Sequence, residues 1–207
     1  MISKIVTKEE QTQMKPDEVL NDLMDGNQRF VNTNFSQRNL QSQQRDAVGG
    51  QNPKAVVLSC IDSRVPVETV FDQGIGDVFV ARVAGNFENT DILGSMEYAC
   101  KVAGSKLVLV LGHEKCGAVS AACDHVKLGN ITAMLKNIEP AVDAASADGE
   151  RNSLNPAFVE AVVQKNVELT IDRIREKSPI LAELEKEGTI KIVGGVYSLS
   201  SGKVSLI

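Results

Sequence analysis

The sequence predicts an α/β fold: a mostly parallel central β-sheet flanked by helices, with an N-terminal helical arm and a C-terminal edge hairpin. Three observations carry this. The runs Ala55 to Ser59 and Leu107 to Leu111 are continuously apolar rather than alternating, the mark of strands covered on both faces. Segments of helical period lie between such runs, so strand, turn and helix recur and imply right-handed crossovers. The last two β-type runs are separated only by a Ser200-Ser201-Gly202 turn.

In chain order, Pro16 to Val31 carries Val19, Leu20, Leu23, Met24, Phe30 and Val31 on one side behind a proline suited to a first helical turn, and this stripe needs a surface to cover. Asn32 to Gln51, rich in Asn, Gln, Ser and Gly, reads as a polar connection that can hold a short helix. Ala55 to Ser59 is a strand, Pro66 opens a short helix, and Asp77 to Arg82 is a second strand. Thr90 is expected to cap a helix whose face is Ile92, Met96, Ala99 and Ala103, followed by a buried strand over Lys106 to Gly112. Cys116 to Val126 reads as helix, and residues 130 to 187 as mostly helical. Pro156 opens a long helix with the stripe Val159, Val163, Val167, Ile171 and Ile174, broken near Pro179. Thr189 to Ser198 and Lys203 to Ile207 form the closing hairpin.

With 207 residues and 43% hydrophobic content, the expectation is one domain over 1–207, with 1–50 as arm and connection and 51–207 as the α/β core. The net charge of −5, with no basic block, disfavours a nucleic-acid or anionic-membrane partner and leaves small molecules. No apolar run approaches the ~18 residues of a membrane span, and no secretion signal is visible. Four unequally spaced cysteines in a chain with a large core point to reduced thiols and a cytoplasmic setting.

Two clusters, Cys60-Ile61-Asp62-Ser63-Arg64 and His113-Glu114-Lys115-Cys116-Gly117, each follow a predicted strand. In an open parallel sheet, functional groups gather at the carboxyl ends of neighbouring strands, so two thiols, an imidazole and a carboxylate are expected to converge. Sulfur and nitrogen donors suit tetrahedral zinc, whereas magnesium and calcium prefer oxygen. Arg64, two residues beyond Asp62, can hold that carboxylate in a bidentate pair and keep it off the metal. Three protein ligands and an open position would then let Zn2+ yield hydroxide near neutral pH, a nucleophile for an electrophilic carbon. The bland alternatives are that Cys60, Cys116 and His113 are core fillers, or that Cys60, Asp62, His113 and Cys116 close a structural zinc site. Cys100 and Cys123 fall on apolar helix faces as fillers, and His125 reads as a surface histidine.

The CxDSR and HxxCG pair, about fifty residues apart, resembles the β-class carbonic anhydrases. The likeness extends to Gly26-Asn27-Gln28-Arg29-Phe30, to Arg82-Val83-Ala84-Gly85-Asn86 and to the final hairpin. It implies that Cys60, His113 and Cys116 bind zinc, that Asp62 and Arg64 form a catalytic dyad, and that Asp62 becomes a fourth ligand only in a closed state. It further implies a carbon dioxide pocket of Gln51, Phe79 and Tyr98, as in plant-like members; the Gly117 amide, at a predicted helix start, is expected to help bind the anion. The chain has no tryptophan, whereas the branch with a regulatory bicarbonate pocket uses one, so the resemblance favours the open type. Family members are dimers or larger, with the N-terminal arm on the partner and the pocket at the interface. Reversible hydration of carbon dioxide to bicarbonate is the expected lyase activity. Hydrolysis of carbonyl sulfide or carbon disulfide, and a metal-stabilised binding module without turnover, are the alternatives.

Overall fold

The computed structural model describes residues Met1 to Ile207. Strand β1 (Ala55–Ser59) is buried along its whole length and pairs in parallel with β2 (Val78–Arg82) and β3 (Leu107–His113). On the far side of β3, β4 (Lys191–Tyr197) is also parallel, and β5 (Val204–Leu206) closes the hairpin antiparallel to it, giving the order β2-β1-β3-β4-β5. Ser59 stands opposite both Arg82 and Leu111, so β1 and β2 end level, β3 runs two residues further to His113, and the loops that follow meet at one edge of the sheet.

The pleat divides the core. Val56, Leu58, Val108, Val110 and Ile192 face α5 (Thr90–Glu97), α9 (Pro156–Lys177) and α10 (Pro179–Lys186). Ala55, Val57, Leu107, Leu109 and Leu111 face α2 (Pro16–Val31) and α4 (Val67–Val70). A third cluster fills the carboxyl end of the sheet, where Val119 of α6 (Gly117–Cys123), Val142 of α8 (Glu139–Ala144) and Phe158 of α9 surround Cys60 and Cys116. Phe158 is fully buried with Arg151 over its ring at 4.8 Å. Phe158→Ala is therefore expected to cost about 3–5 kcal/mol, read as a lowered urea midpoint with an unchanged slope.

Several elements depart from the sequence reading for identifiable reasons. Helix α1 (Lys8–Gln13) has no apolar stripe to announce it; a Thr7–Glu10 capping box and the buried Gln11, whose Nε2 donates to the Pro53 carbonyl at 2.8 Å, hold it in place. The α2 stripe covers its own sheet, with Val19, Leu20 and Leu23 buried in the core of this chain, so these residues do not form the arm's partner surface. Gly26 permits that packing, because a Cβ there would lie 1.9 Å from the Phe71 carbonyl oxygen. Asn89, not Thr90, caps α5, since its side chain accepts from the Ile92 amide at 2.9 Å. Beyond Glu97 the coil widens to a π turn over Tyr98–Val102, which removes Ala103 from the helical face. Helix α6 stops at Cys123, short of Val126, where His125 takes a left-handed φ of 51°. Helices α3 (Leu40–Asp46) and α7 (Gly129–Leu135) complete the set.

Asn27 locks the hairpin to the arm: its amide donates to the carbonyls of Val70 (3.1 Å) and Gly202 (2.9 Å) and accepts from the Val204 amide (2.8 Å). No helix is long and apolar enough to cross a membrane.

Candidate metal centre

The carboxyl ends of the adjacent strands β1 and β3 place the two motifs side by side. Cys60 is the first residue past β1, His113 is the last of β3 and pairs with Tyr197, and Cys116 is the N-cap of α6. The ligand atoms of Cys60, His113 and Cys116 all lie within 4.8 Å of one another, and all three residues are buried. The two Sγ atoms are 4.0 Å apart, twice a disulfide length and close to the roughly 3.8 Å edge of a tetrahedron with ~2.3 Å zinc–sulfur bonds.

The histidine supplies the second test of fit. Its Nδ1 sits 2.9 Å from the Glu114 carbonyl oxygen, which places the proton on Nδ1 and leaves the Nε2 lone pair free. Nε2 is buried with no hydrogen-bond partner in the protein, a costly arrangement for a polar atom unless something else binds it. The two thiols share one proton-mediated contact in which either sulfur can donate, and this pairing holds the Cys60 thiol below the ordinary range against the opposing effect of burial. The contact with Cys60 and burial push its partner Cys116 up. The donor set thus combines a stabilised thiolate, a second thiol that a dication would ionise and a neutral imidazole, which fits zinc. The other two thiols are inert: burial pushes Cys100 up to about 12 and Cys123 up to about 11.

Asp62 and Arg64 form a fork-to-fork pair beside this cluster. Arg64 donates through Nε to Oδ1 at 2.9 Å and through Nη2 to Oδ2 at 2.7 Å, and its backbone amide adds a further bond to Oδ1 at 2.9 Å. The Arg64 hydrogen bonds hold the Asp62 carboxyl well below the usual carboxylate range. Oδ2 lies 3.8 Å from His113 Nε2, so the one oxygen with spare acceptor capacity faces the ligand cluster. Arg64 Nη2 also reaches the Lys115 carbonyl at 3.2 Å and thereby ties the first motif to the second.

Phe79 and Tyr98 come together, their rings edge-on with centroids 6.3 Å apart. They line an open groove of about 660 Å³ with Val56, Ala81 and Ile92 along the β2 edge. Phe79 stands opposite Val56, four residues before Cys60, so strand rise alone carries it about 13 Å from the cysteine. Within one chain the groove and the metal cluster are therefore separate. Gln51 is exposed in the connection before β1, and Gly117 is exposed beside Cys116.

Three further groups support the centre: Arg82 and Gly85, which lie in the Arg82–Asn86 stretch of the resemblance but carried no assigned role there, and Asn166, which the sequence reading passed over. Arg82, at the end of β2, donates to the carbonyls of Cys60 (2.8 Å) and Asp62 (2.7 Å) and fixes the loop that carries both side chains. The Gly85 amide donates to Cys60 Sγ at 3.3 Å. Asn166, on the buried face of α9, donates to the Gly85 carbonyl at 2.8 Å. A lone amide interrupting the valine stripe of α9 was the available signal.

A family profile described as carbonic anhydrase matches residues 55–204 of the chain. Carbonic anhydrase 2 of Mycobacterium tuberculosis is 37% identical over 187 residues, covering 89% of each protein. Among solved structures, a β-carbonic anhydrase of the fungal pathogen Aspergillus fumigatus superposes with a TM-score of 0.68 at 26% identity, over 79% of each chain. A tetrameric β-carbonic anhydrase from the ascomycete Sordaria macrospora gives a TM-score of 0.67 at 25% identity, covering 91% of this chain and 93% of that one.

Proposed function

Because this chain belongs to the carbonic anhydrase family, we propose that it catalyses the zinc-dependent, reversible hydration of carbon dioxide at the centre formed by Cys60, His113 and Cys116. The observation that carries this reading is the buried, unpartnered Nε2 of His113 within bonding reach of two thiols. When bound, zinc would act as a Lewis acid that lowers the pKa of water, less strongly beside two thiolates than beside three imidazoles, where that pKa is about 7.

The protein's own groups do the rest. Asp62 stays ionised throughout the neutral range and is an acceptor only, so it orients a proton-bearing nucleophile and excludes anions that cannot donate. Arg64 occupies both carboxylate oxygens, which supports an open site in which Asp62 is no metal ligand. The same arrangement and the absence of tryptophan support the plant-like type. The Gly117 amide, next to Cys116 at the start of α6, helps to bind the anionic product.

The reading includes a homo-oligomer. Strand β2 is an edge strand, and the apolar Phe79–Tyr98 groove on it becomes a substrate pocket, with Gln51, when a second copy brings it against a metal centre. The tetrameric Sordaria relative supports assembly, and four unpaired cysteines support a reducing, cytoplasmic location. One domain spanning 1–207 belongs to the same reading.

Stopped-flow assay of zinc-loaded protein should show carbon dioxide hydration whose rate rises from pH 7 to 9. Sulfide release from carbonyl sulfide without carbon dioxide hydration would redirect the substrate assignment, and a flat profile from pH 6 to 9 would remove ionisation of water from the mechanism. Arg82→Met should weaken zinc retention or turnover by about 10- to 100-fold through the freed Cys60–Asp62 loop, measured by chelator competition.

A further inference from the structure

We infer that Asn166 is a positioning residue that tunes the metal centre from helix α9 by fixing the Gly85 amide on the sulfur of Cys60. The inference rests on the metal-centre reading above and deepens it.

Val83 to Asn86 forms a tight turn directly after β2, closed by the Asn86 amide on the Val83 carbonyl at 3.0 Å. Gly85 occupies the third position with φ of 85°, the conformation that such a turn reserves for glycine. A Cβ at Gly85 would lie 2.4 Å from Ile138 Cδ1, so the turn is pressed against the segment leading into α8. The central amide of the turn takes no part in the turn's own hydrogen bond. It is free to point at Cys60 Sγ, 3.3 Å away. Which way that amide points depends on the φ and ψ of Gly85, hence on how the following peptide is held, and α9 holds that side of the loop at two places. Asn166, 1% exposed, binds the Gly85 carbonyl, while Arg173 (2.9 Å) and Lys177 (2.8 Å) grip the buried Glu88 at the far end of the loop.

An amide that donates to a thiolate withdraws charge from sulfur. The sulfur then donates less to a bound cation, whose Lewis acidity rises. In a centre with two thiolates this offsets part of their neutralising effect. Asn166 touches neither ligand nor substrate and acts across the single residue Gly85, holding its carbonyl while its amide faces the sulfur.

The full chain loaded with cadmium-113 tests this by NMR. The Gly85 amide proton should show a scalar coupling to the metal through Cys60 sulfur, beside the couplings from Cys60, Cys116 and His113. Absence of the Gly85 coupling while the ligand couplings are present overturns the proposal and leaves the metal centre standing; absence of all of them overturns both. In Asn166→Leu the Gly85 coupling should vanish. In the cobalt-loaded form of the same variant, the sulfur-to-metal charge-transfer band should move to longer wavelength, because the sulfur is richer in electrons. Coupling and band position identical to those of the unsubstituted protein would show that Asn166 serves packing only.

Discussion

Cys116→Ser is expected to abolish zinc binding and carbon dioxide hydration together. Cys116 is 1% exposed and supplies one of only three protein donors, and a serine hydroxyl does not ionise in the range where a thiol bound to zinc does. Losing a support of the ligands costs about 10- to 100-fold in metal affinity, and losing a ligand costs more. The substitution removes little volume, so the Val119, Ile138 and Phe158 cluster around the site should still pack. Metal analysis of the purified variant, with a hydration assay and a thermal melt, checks all three parts. Full zinc content with retained activity would mean that the thiol is a core filler.

The second large effect is expected at Asp62. Asp62→Asn should lower the hydration rate by about 10²- to 10⁴-fold with zinc content unchanged, since the carboxylate orients the nucleophile by accepting its hydrogen bond but does not hold the metal. A loss of zinc would instead identify Asp62 as an obligatory ligand in a closed site. The same residue makes a pH-dependent contribution to folding. Its folded pKa lies below the unfolded value near 3.9, so the stabilisation is fully present above about pH 4 and is lost as pH falls through the folded pKa. In Asp62→Asn this acid-sensitive component should disappear, and the difference in urea midpoint between the two proteins should shrink as pH falls below 4.

What could be read in the sequence was what depends on the order of residue types along one element. The unbroken apolar runs of β1 and β3 report burial on both faces, and the valine–isoleucine stripe of α9 reports a helix against the sheet. Because strand ends determine where loops meet, the convergence of Cys60, His113 and Cys116 was legible from the placement of two short motifs. Contacts set by tertiary context were not. α1 depends on Gln11 reaching Pro53, and the destination of the α2 stripe depends on which surface the chain folds against. The same holds for Arg82, whose guanidinium spans two carbonyls lying 22 and 20 residues earlier in the chain. Phe79 and Tyr98 show the boundary well: the resemblance selected both, their meeting depends on how α5 packs against β2, and their distance from Cys60 depends on strand register.

X-ray absorption at the zinc edge of the loaded protein at neutral pH addresses the central claim most directly. Two sulfur neighbours at about 2.3 Å and one imidazole nitrogen at about 2.0–2.1 Å, with a single exchangeable light-atom neighbour completing the shell, are the predicted result. A shell without sulfur, or one with no light-atom neighbour that exchanges with added anions, would contradict it.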